Sequence, residues 1–241
     1  MKLSGHRASF TRCVIMLAVL FASCTSMPEE GPQSFESAPL FGMIYDQENQ
    51  PVAGVAFAID RQDGLSSDVT GRFVIPNLAR GEHLLVARKA DFEPLTTTVL
   101  FSNQTQVVYI RMISRAELVQ AAEEAVAARR IADAQALIDR IRKISPDDPE
   151  AAFLQAILFY RSRRLEDAAA ALERLLATGV REVPVYLFLA DLYEQQLGKP
   201  VRALRLLEDG LARNPDSRLK MRVDRLCGVN DGIRLDRSRP R

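Results

Sequence analysis

The feature that most constrains this chain is a pattern recurring in its second half every 34 to 35 residues. Arg130-Ile131-Ala132-Asp133-Ala134, Arg164-Leu165-Glu166-Asp167-Ala168 and Pro200-Val201-Arg202-Ala203-Leu204 occupy equivalent places. Their alanines Ala134, Ala168 and Ala203 are separated by 34 and then 35 residues. Seven residues after each alanine come Ile141, Leu175 and the Gly210-Leu211 patch. Pro146 and Pro215 stand near the ends of two of the units. Apolar residues within each unit follow a helical period, so each unit reads as a pair of helices. A single such pair cannot bury its own apolar stripe, and about three stacked units are near the minimum for stability. Small residues where helices cross let the backbones approach, and larger ones fill the grooves between units.

Helix pairs at this period resemble tetratricopeptide repeats. The residues that carry the resemblance are Ala122, Ala125, Ala134, Ile138, Ile141 and Pro146 in the first unit. In the second they are Ala152, Ala156, Phe159, Ala168, Leu172 and Leu175, and in the third Tyr186, Ala190, Tyr193, Ala203 and Pro215. The array is expected over residues 114–216, with one extra residue near Gln195-Gln196-Leu197-Gly198 lengthening the inter-helix turn of the third unit. The concave face of the array is the candidate surface for a protein partner. Residues expected to point inward there are Gln120, Glu124, Gln155, Tyr160, Phe188, Asp191 and Gln195. Residues 217–241 read as a capping helix, with apolar Leu219, Val223 and Leu226, and a basic tail that frays beyond Gly228. This stretch has seven Arg and one Lys against three Asp, a net +5.

Before residue 114 the period is two rather than 3.6. Short β-like runs alternate with turns: Phe41 to Tyr45, Val52 to Ile59, Arg72 to Ile75, Glu82 to Ala87, Thr96 to Phe101 and Gln106 to Met112. Strands at roughly ten-residue spacing indicate a small sandwich over residues 40–113. Gly42, Ile44, Asp46, Pro51, Val52, Gly54 and Val55, then Gly71, Arg72, Phe73, Ile75, Leu78, Gly81 and Leu84, resemble the carboxypeptidase regulatory-like domain. That resemblance implies a prealbumin-like Greek-key sandwich that is non-catalytic and serves as a spacer or binding module. The expected fold class is therefore multidomain: a small all-β Greek-key sandwich followed by an all-α tetratricopeptide-like repeat array.

The first residues carry a different signal. Lys2, Arg7 and Arg12 precede the apolar run Cys13 to Ala22, which is too short to span a roughly 30 Å hydrocarbon layer as a helix. The run ends in Leu20-Phe21-Ala22-Ser23-Cys24, which resembles the lipobox of bacterial lipoproteins, with Phe21 where Leu is usual. The resemblance implies a signal peptide over 1–23, cleavage before Cys24, and acyl chains on that cysteine, so that membrane lipid is one partner. Two or more chains make such binding lasting, whereas one leaves it marginal. Thr25 rather than Asp follows the cysteine, which points to the outer membrane, facing the periplasm. Residues 24–39 hold three prolines, three glutamates and no regular period, and read as a tether.

Formal net charge is +1 over 241 residues, which argues against nucleic acid as a partner. The sequence has no G-x-S-x-G and no phosphate-cradling glycine loop. His83 is the only histidine beyond the signal and reads as a half-exposed strand residue; the pairs Asp60/Asp63 and Asp147-Asp148 read as turn and cap residues. Cys227 reads as a small buried apolar group. No catalytic or metal-ligating set and no cofactor is expected. A membrane-anchored protein-binding adaptor or assembly factor of the bacterial envelope fits these readings. An envelope hydrolase or carbohydrate-processing enzyme would need a convergent cluster of polar groups. A structural spacer would need no patch on the first-helix face.

Overall fold

Alternating apolar residues close two sheets over one another at the N-terminal end. The computed structural model describes residues 35–237, with side chains described as far as Gly228. Strands β1 (Ser37–Tyr45), β4 (Arg72–Ala79) and β7 (Val107–Arg111) form a sheet in the order β4-β1-β7. Strands β2 (Ala56–Ile59), β3 (Gln62–Ser66), β5 (Gly81–Arg88) and β6 (Leu95–Phe101) form the second, ordered β3-β2-β5-β6. β1 runs antiparallel to β4 and parallel to β7. It begins at Ser37, inside the stretch expected to be tether.

Period-two side chains meet between the sheets: Leu40, Ile44, Phe57, Ile59, Phe73, Ile75, Leu85, Phe101 and Ile110 are all buried. Gly42 is on the inner face of β1 opposite Phe73. A Cβ there would lie 2.1 Å from the Phe73 ring, which needs that space to reach Phe57 with ring centroids 4.6 Å apart. Gly71 sits at φ +74°, and a Cβ on it would come within 2.6 Å of the Ile44 carbonyl oxygen. A turn this tight against β1 excludes any side chain.

The change of period falls at a helix cap. Ser114 caps α1 (Arg115–Ala127): its hydroxyl accepts from the Glu117 N–H, and the Glu117 carboxylate accepts from the Ser114 N–H at 2.6 Å. Then follow α2 (Ile131–Ile144), α3 (Pro149–Arg161), α4 (Leu165–Ala177), α5 (Val183–Asp191), α6 (Pro200–Arg213) and α7 (Ser217–Arg237). Asp148 caps α3, its carboxylate accepting from the Ala151 N–H at 2.8 Å, and Pro149 supplies the first turn. Ala122, Ala156 and Ala190 on the first helices, and Ala134, Ala168 and Ala203 on the second, are fully buried.

Two details differ from expectation. The extra residue of the third unit does not lengthen a loop. It widens the end of the first helix into a π turn, Leu192–Gln196, closed by the Leu197 N–H on the Leu192 carbonyl at 2.9 Å. One inserted residue shifts the backbone hydrogen bond from four residues to five and leaves the helix otherwise intact. The capping helix also continues past Gly228 to Arg237 rather than fraying there. Its buried Leu219 and Leu226 close the open end of the third unit.

Sandwich and helices belong to one unit beginning at Ser37. The Arg140 guanidinium on α2 donates twice to the Glu93 carboxylate, at 3.0 and 2.6 Å. The Gln47 N–H donates to Glu117 at 2.9 Å, and the Arg115 N–H to the Asp91 carbonyl at 2.7 Å. Charge-assisted bidentate pairing holds the first helix pair against the turns of the sandwich.

Candidate partner-binding groove

The first helices of the three units, α1, α3 and α5, share an open cleft of about 260 Å³. Val126 and Ala127 come from α1, Phe153, Leu154 and Ile157 from α3, and Val185 from α5. Spacings of three and four residues put Phe153, Ile157 and Tyr160 along one side of α3. Phe188 on α5 meets Phe153 edge-on at 6.1 Å and Tyr160 at 5.5 Å, ring centre to ring centre. Edge-to-face pairs of this kind fix ring orientation as well as burying area. Glu123, Glu150 and Glu182 rim the cleft, with Arg161 as its cation. Arg161 Nη1 donates to the Val126 carbonyl at 2.6 Å, tying α3 to the end of α1.

The residues expected on this face divide. Tyr160 and Phe188 are brought together in the aromatic contact just described. Gln155 is buried and does not reach the open surface: it accepts from Gln135 at 3.1 Å and Arg142 at 3.2 Å, and donates to Gln135 at 2.9 Å. Its amide joins α3 to α2, because its place on α3 faces the second helix of the preceding unit. Gln120 and Glu124 bond each other at 3.2 Å and line a separate cleft beside Gln47 and Glu48 of the sandwich. Asp191 and Glu194 accept from Arg222 of α7, so Asp191 serves the capping helix. Gln195 is exposed on the π turn. Glu123, Phe153, Ile157 and Val185 line the cleft although the expected set omitted them. The signal of the three apolar ones, a stripe at helical spacing, is the one a buried core also produces.

The second helices α4 and α6 line another cleft, of about 600 Å³, with Tyr186, Tyr193, Arg202 and Arg205 among its walls. There burial and a hydrogen bond to Glu173 push the Tyr193 hydroxyl well above its ordinary range, and Arg202 lies 4.7 Å over its ring. Tyr193 is thereby a fixed donor, not an acid available at neutral pH.

His83 is buried rather than half-exposed. Its Nδ1 meets the Asp60 carboxylate and its Nε2 lies 2.8 Å from the Ala79 carbonyl oxygen. Both ring nitrogens are therefore occupied by main-chain or turn groups. Asp60 also accepts from the Leu84 N–H at 2.9 Å, and these bonds, that to His83 first, hold its carboxyl below the usual carboxylate range. Asp148 caps α3 and accepts from Arg115 at 3.0 Å. Cys227 is half-buried with a free thiol. Among the described residues no group of three or more His, Cys, Asp or Glu could hold a metal ion. Among the same residues no helix is long and apolar enough to cross a membrane. Cys24 and the signal segment lie outside the described residues.

A family model described as a tetratricopeptide repeat matches residues 119–184, which run from α1 into the start of α5. No curated protein matches the chain. Among solved structures, YrrB, a tetratricopeptide protein with an unusual peptide-binding site, is 16% identical with a TM-score of 0.41 over 50% of this chain and 61% of its own. MamA is 15% identical with a TM-score of 0.42, over 48% of this chain and 68% of its own. TTC0263, a thermophilic tetratricopeptide protein of Thermus thermophilus, is 22% identical with a TM-score of 0.40, over 49% of this chain and 66% of its own. The chain also matches the TIE protein of Bacillus anthracis at 13% identity and a TM-score of 0.30, spanning only 17% of that protein.

Proposed function

We propose that this chain is a protein-binding adaptor or assembly factor of the bacterial cell envelope, held at a membrane through an acylated Cys24. The observation that supports it most is the groove of α1, α3 and α5. Phe153 and Ile157 stay partly open to solvent over buried Val126 and Val185, beside ordered aromatic contacts. An exposed apolar cleft with a charged rim is the form that an amphipathic segment of a partner fits. The occupant is a protein segment whose apolar side chains enter between α1 and α3, with basic groups meeting Glu123 and Glu182. In this reading the sandwich, similar to a carboxypeptidase regulatory-like domain, is the spacer between anchor and array. It has no catalytic part. The membrane is the outer membrane, with the folded part on its periplasmic side.

The test is fractionation combined with capture. The wild-type chain should sediment with membranes, carry acyl mass on Cys24 and co-purify a protein. Cys24→Ser should release it into the soluble fraction while still capturing that protein. Phe153→Asp should remain at the membrane and lose the protein. A Cys24→Ser chain that stays at the membrane, with no acyl mass on the wild type, overturns the anchor. A Phe153→Asp chain that captures as before overturns the groove.

A further inference from the structure

The turns that join the first and second helices of the first two units carry an unusual residue. Arg129 sits at φ 58° and Arg163 at φ 61°, both in the left-handed region. The surrounding bonds are those of a helix closing on a left-handed residue. Arg129 N–H donates to the Val126 carbonyl at 3.1 Å and Arg130 N–H to Ala125 at 2.9 Å. In the second unit Arg163 N–H donates to Tyr160 at 3.0 Å and Arg164 N–H to Phe159 at 2.9 Å. Glycine, then asparagine, is the residue this closure favours, since a Cβ crowds the following carbonyl. The third unit has glycine there: Gly198, at φ 63°. Two of three equivalent turns thus keep a strained arginine where glycine fits better, and strain held against an easy alternative points to a use for the side chain.

The neighbouring cations are already paired. Arg130 reaches Asp133 at 3.3 Å, and Arg164 reaches Asp167 at 2.7 Å while lying 4.4 Å over the Phe159 ring. The side chains of Arg129 and Arg163 have no hydrogen-bond or ion-pair partner among the described residues. They converge with Arg161, Tyr160 and Ile131 on a cleft of about 430 Å³ whose lining contains no carboxylate. Arg161 is bonded through Nη1 to the Val126 and Ala127 carbonyls but makes no ion pair among the described residues, so three like charges border one space. The free planar forks of Arg129 and Arg163 each match two oxygens of a carboxylate. Tyr160 and Ile131 add an apolar wall for methylene groups. Arg161 lines both this cleft and the apolar groove, so a segment lying in the groove reaches the arginines as it passes α3.

We propose that this cleft is an oxyanion site that takes side-chain carboxylates from an acidic stretch of the groove's protein partner. Naming a protein as the source of the carboxylates rests on the adaptor reading; the oxyanion site itself rests on the three arginines. The partner segment then has a defined polarity, apolar in the groove and acidic where it meets Arg129, Arg161 and Arg163.

The experiment uses the full chain and a fluorescein-labelled octaglutamate peptide followed by two leucines, read by anisotropy at low salt. The R129G/R163G double variant should bind about tenfold more weakly or worse, as loss of two charge-assisted contacts implies. Its thermal midpoint should rise, because glycine relieves both turns while the charge is lost. R205Q, which removes an exposed arginine from the other cleft, should bind as the wild type does. Equal binding by R129G/R163G, or an equal loss in R205Q, would overturn the site. Displacement of the peptide by millimolar inorganic phosphate but not by glutarate at the same concentration would make it a phosphate site and overturn the carboxylate assignment. The adaptor reading fails separately: octaglutamate binding that depends on the arginines, with no protein captured by the wild-type chain, leaves the site standing and removes its proposed source.

Discussion

Gly210 and Tyr186 exchange volume in the third unit, and a double-mutant cycle measures that exchange. Leu175 and Gly210 are 35 residues apart, as are Ala168 and Ala203, so they hold equivalent places on α4 and α6. Ala152 and Tyr186 are 34 apart, as are Ala156 and Ala190, so they are equivalent on α3 and α5. The second unit combines a small residue on its first helix with a leucine on its second; the third combines a tyrosine with a glycine. Tyr186 is 1% exposed, and a Cβ on Gly210 would lie 2.7 Å from its ring Cδ1. Gly210→Ala would gain about 1 kcal/mol of helix propensity. Against this stands overpacking of about 1–3 kcal/mol, because an enclosed ring has nowhere to move. The clash wins, with a net loss on the order of 1 kcal/mol. Tyr186→Ala alone should cost about 3–5 kcal/mol through the cavity it leaves. Gly210→Leu alone should lie at the upper end of the overpacking range, about 3 kcal/mol. The double variant restores the pattern of the second unit and should be less destabilised than the sum by about 0.5–3 kcal/mol. Urea unfolding of the full chain, followed by far-ultraviolet circular dichroism, resolves these differences. At a slope of about 2 kcal/mol per molar, 1 kcal/mol moves the midpoint by about 0.5 M. Strict additivity in the cycle, or a Gly210→Ala chain stabilised by its full helix propensity, would refute the argument.

Ala168 and Ala203 are fully buried where helices cross, so A168L and A203L should each lose about 1–3 kcal/mol, while A170L, on an exposed position of α4, stays within about 0.5 kcal/mol; equal midpoint shifts at all three would mean the repeat register is wrong. Deleting Gln195 removes the extra residue of the π turn, and the chain should still fold, with α-helical hydrogen bonding through Leu192–Gln196 and a midpoint within about 0.5 M of wild type; loss of cooperative unfolding would show that the wide turn is required. Glu93 is held below its ordinary pKa of 4.5, first by its hydrogen bond to Arg140. A carboxylate lowered on folding stabilises above its unfolded value and loses that contribution as pH falls through the folded one. The thermal midpoint of E93Q should therefore lie below wild type at pH 7 and converge on it below 4.5, and a constant gap across that window would remove Glu93 from the acid response.

Strand-to-helix order and the repeat register are legible in the sequence because both are periodicities of the chain itself. The switch at residue 114 coincides with a capping serine and its glutamate three positions on, a signal as local as the period. The π turn is different. One inserted residue appears in the spacing of Ala168 and Ala203, but whether it enters a loop or a helix depends on the backbone bond from Leu197 to Leu192. Gln155 shows the same limit for side chains. On a helical wheel it sits near the open face, and only its neighbours Gln135 and Arg142 on α2 explain why it is buried. Asp191 is drawn away by Arg222, a residue about thirty positions later whose helix folds back on α5. His83 on β5 is buried with its ring held by Asp60 from the turn after the neighbouring β2, a contact that no alternation pattern encodes. Phe153 and Ile157 were hidden for the opposite reason, since an apolar stripe that stays open has the same sequence as one that is covered.

Whether the α1–α3–α5 face is where a protein docks can be measured directly by placing a photo-crosslinking amino acid at single positions of the full chain in living cells. Positions Glu123, Phe153 and Ile157 line the groove, while Arg205 and Asp209 line the cleft of the second helices. Irradiation from the three groove positions should give one common crosslinked protein, and Arg205 and Asp209 should not give it. Crosslinks of equal yield from both sets, or from Arg205 and Asp209 alone, would contradict a groove-binding adaptor.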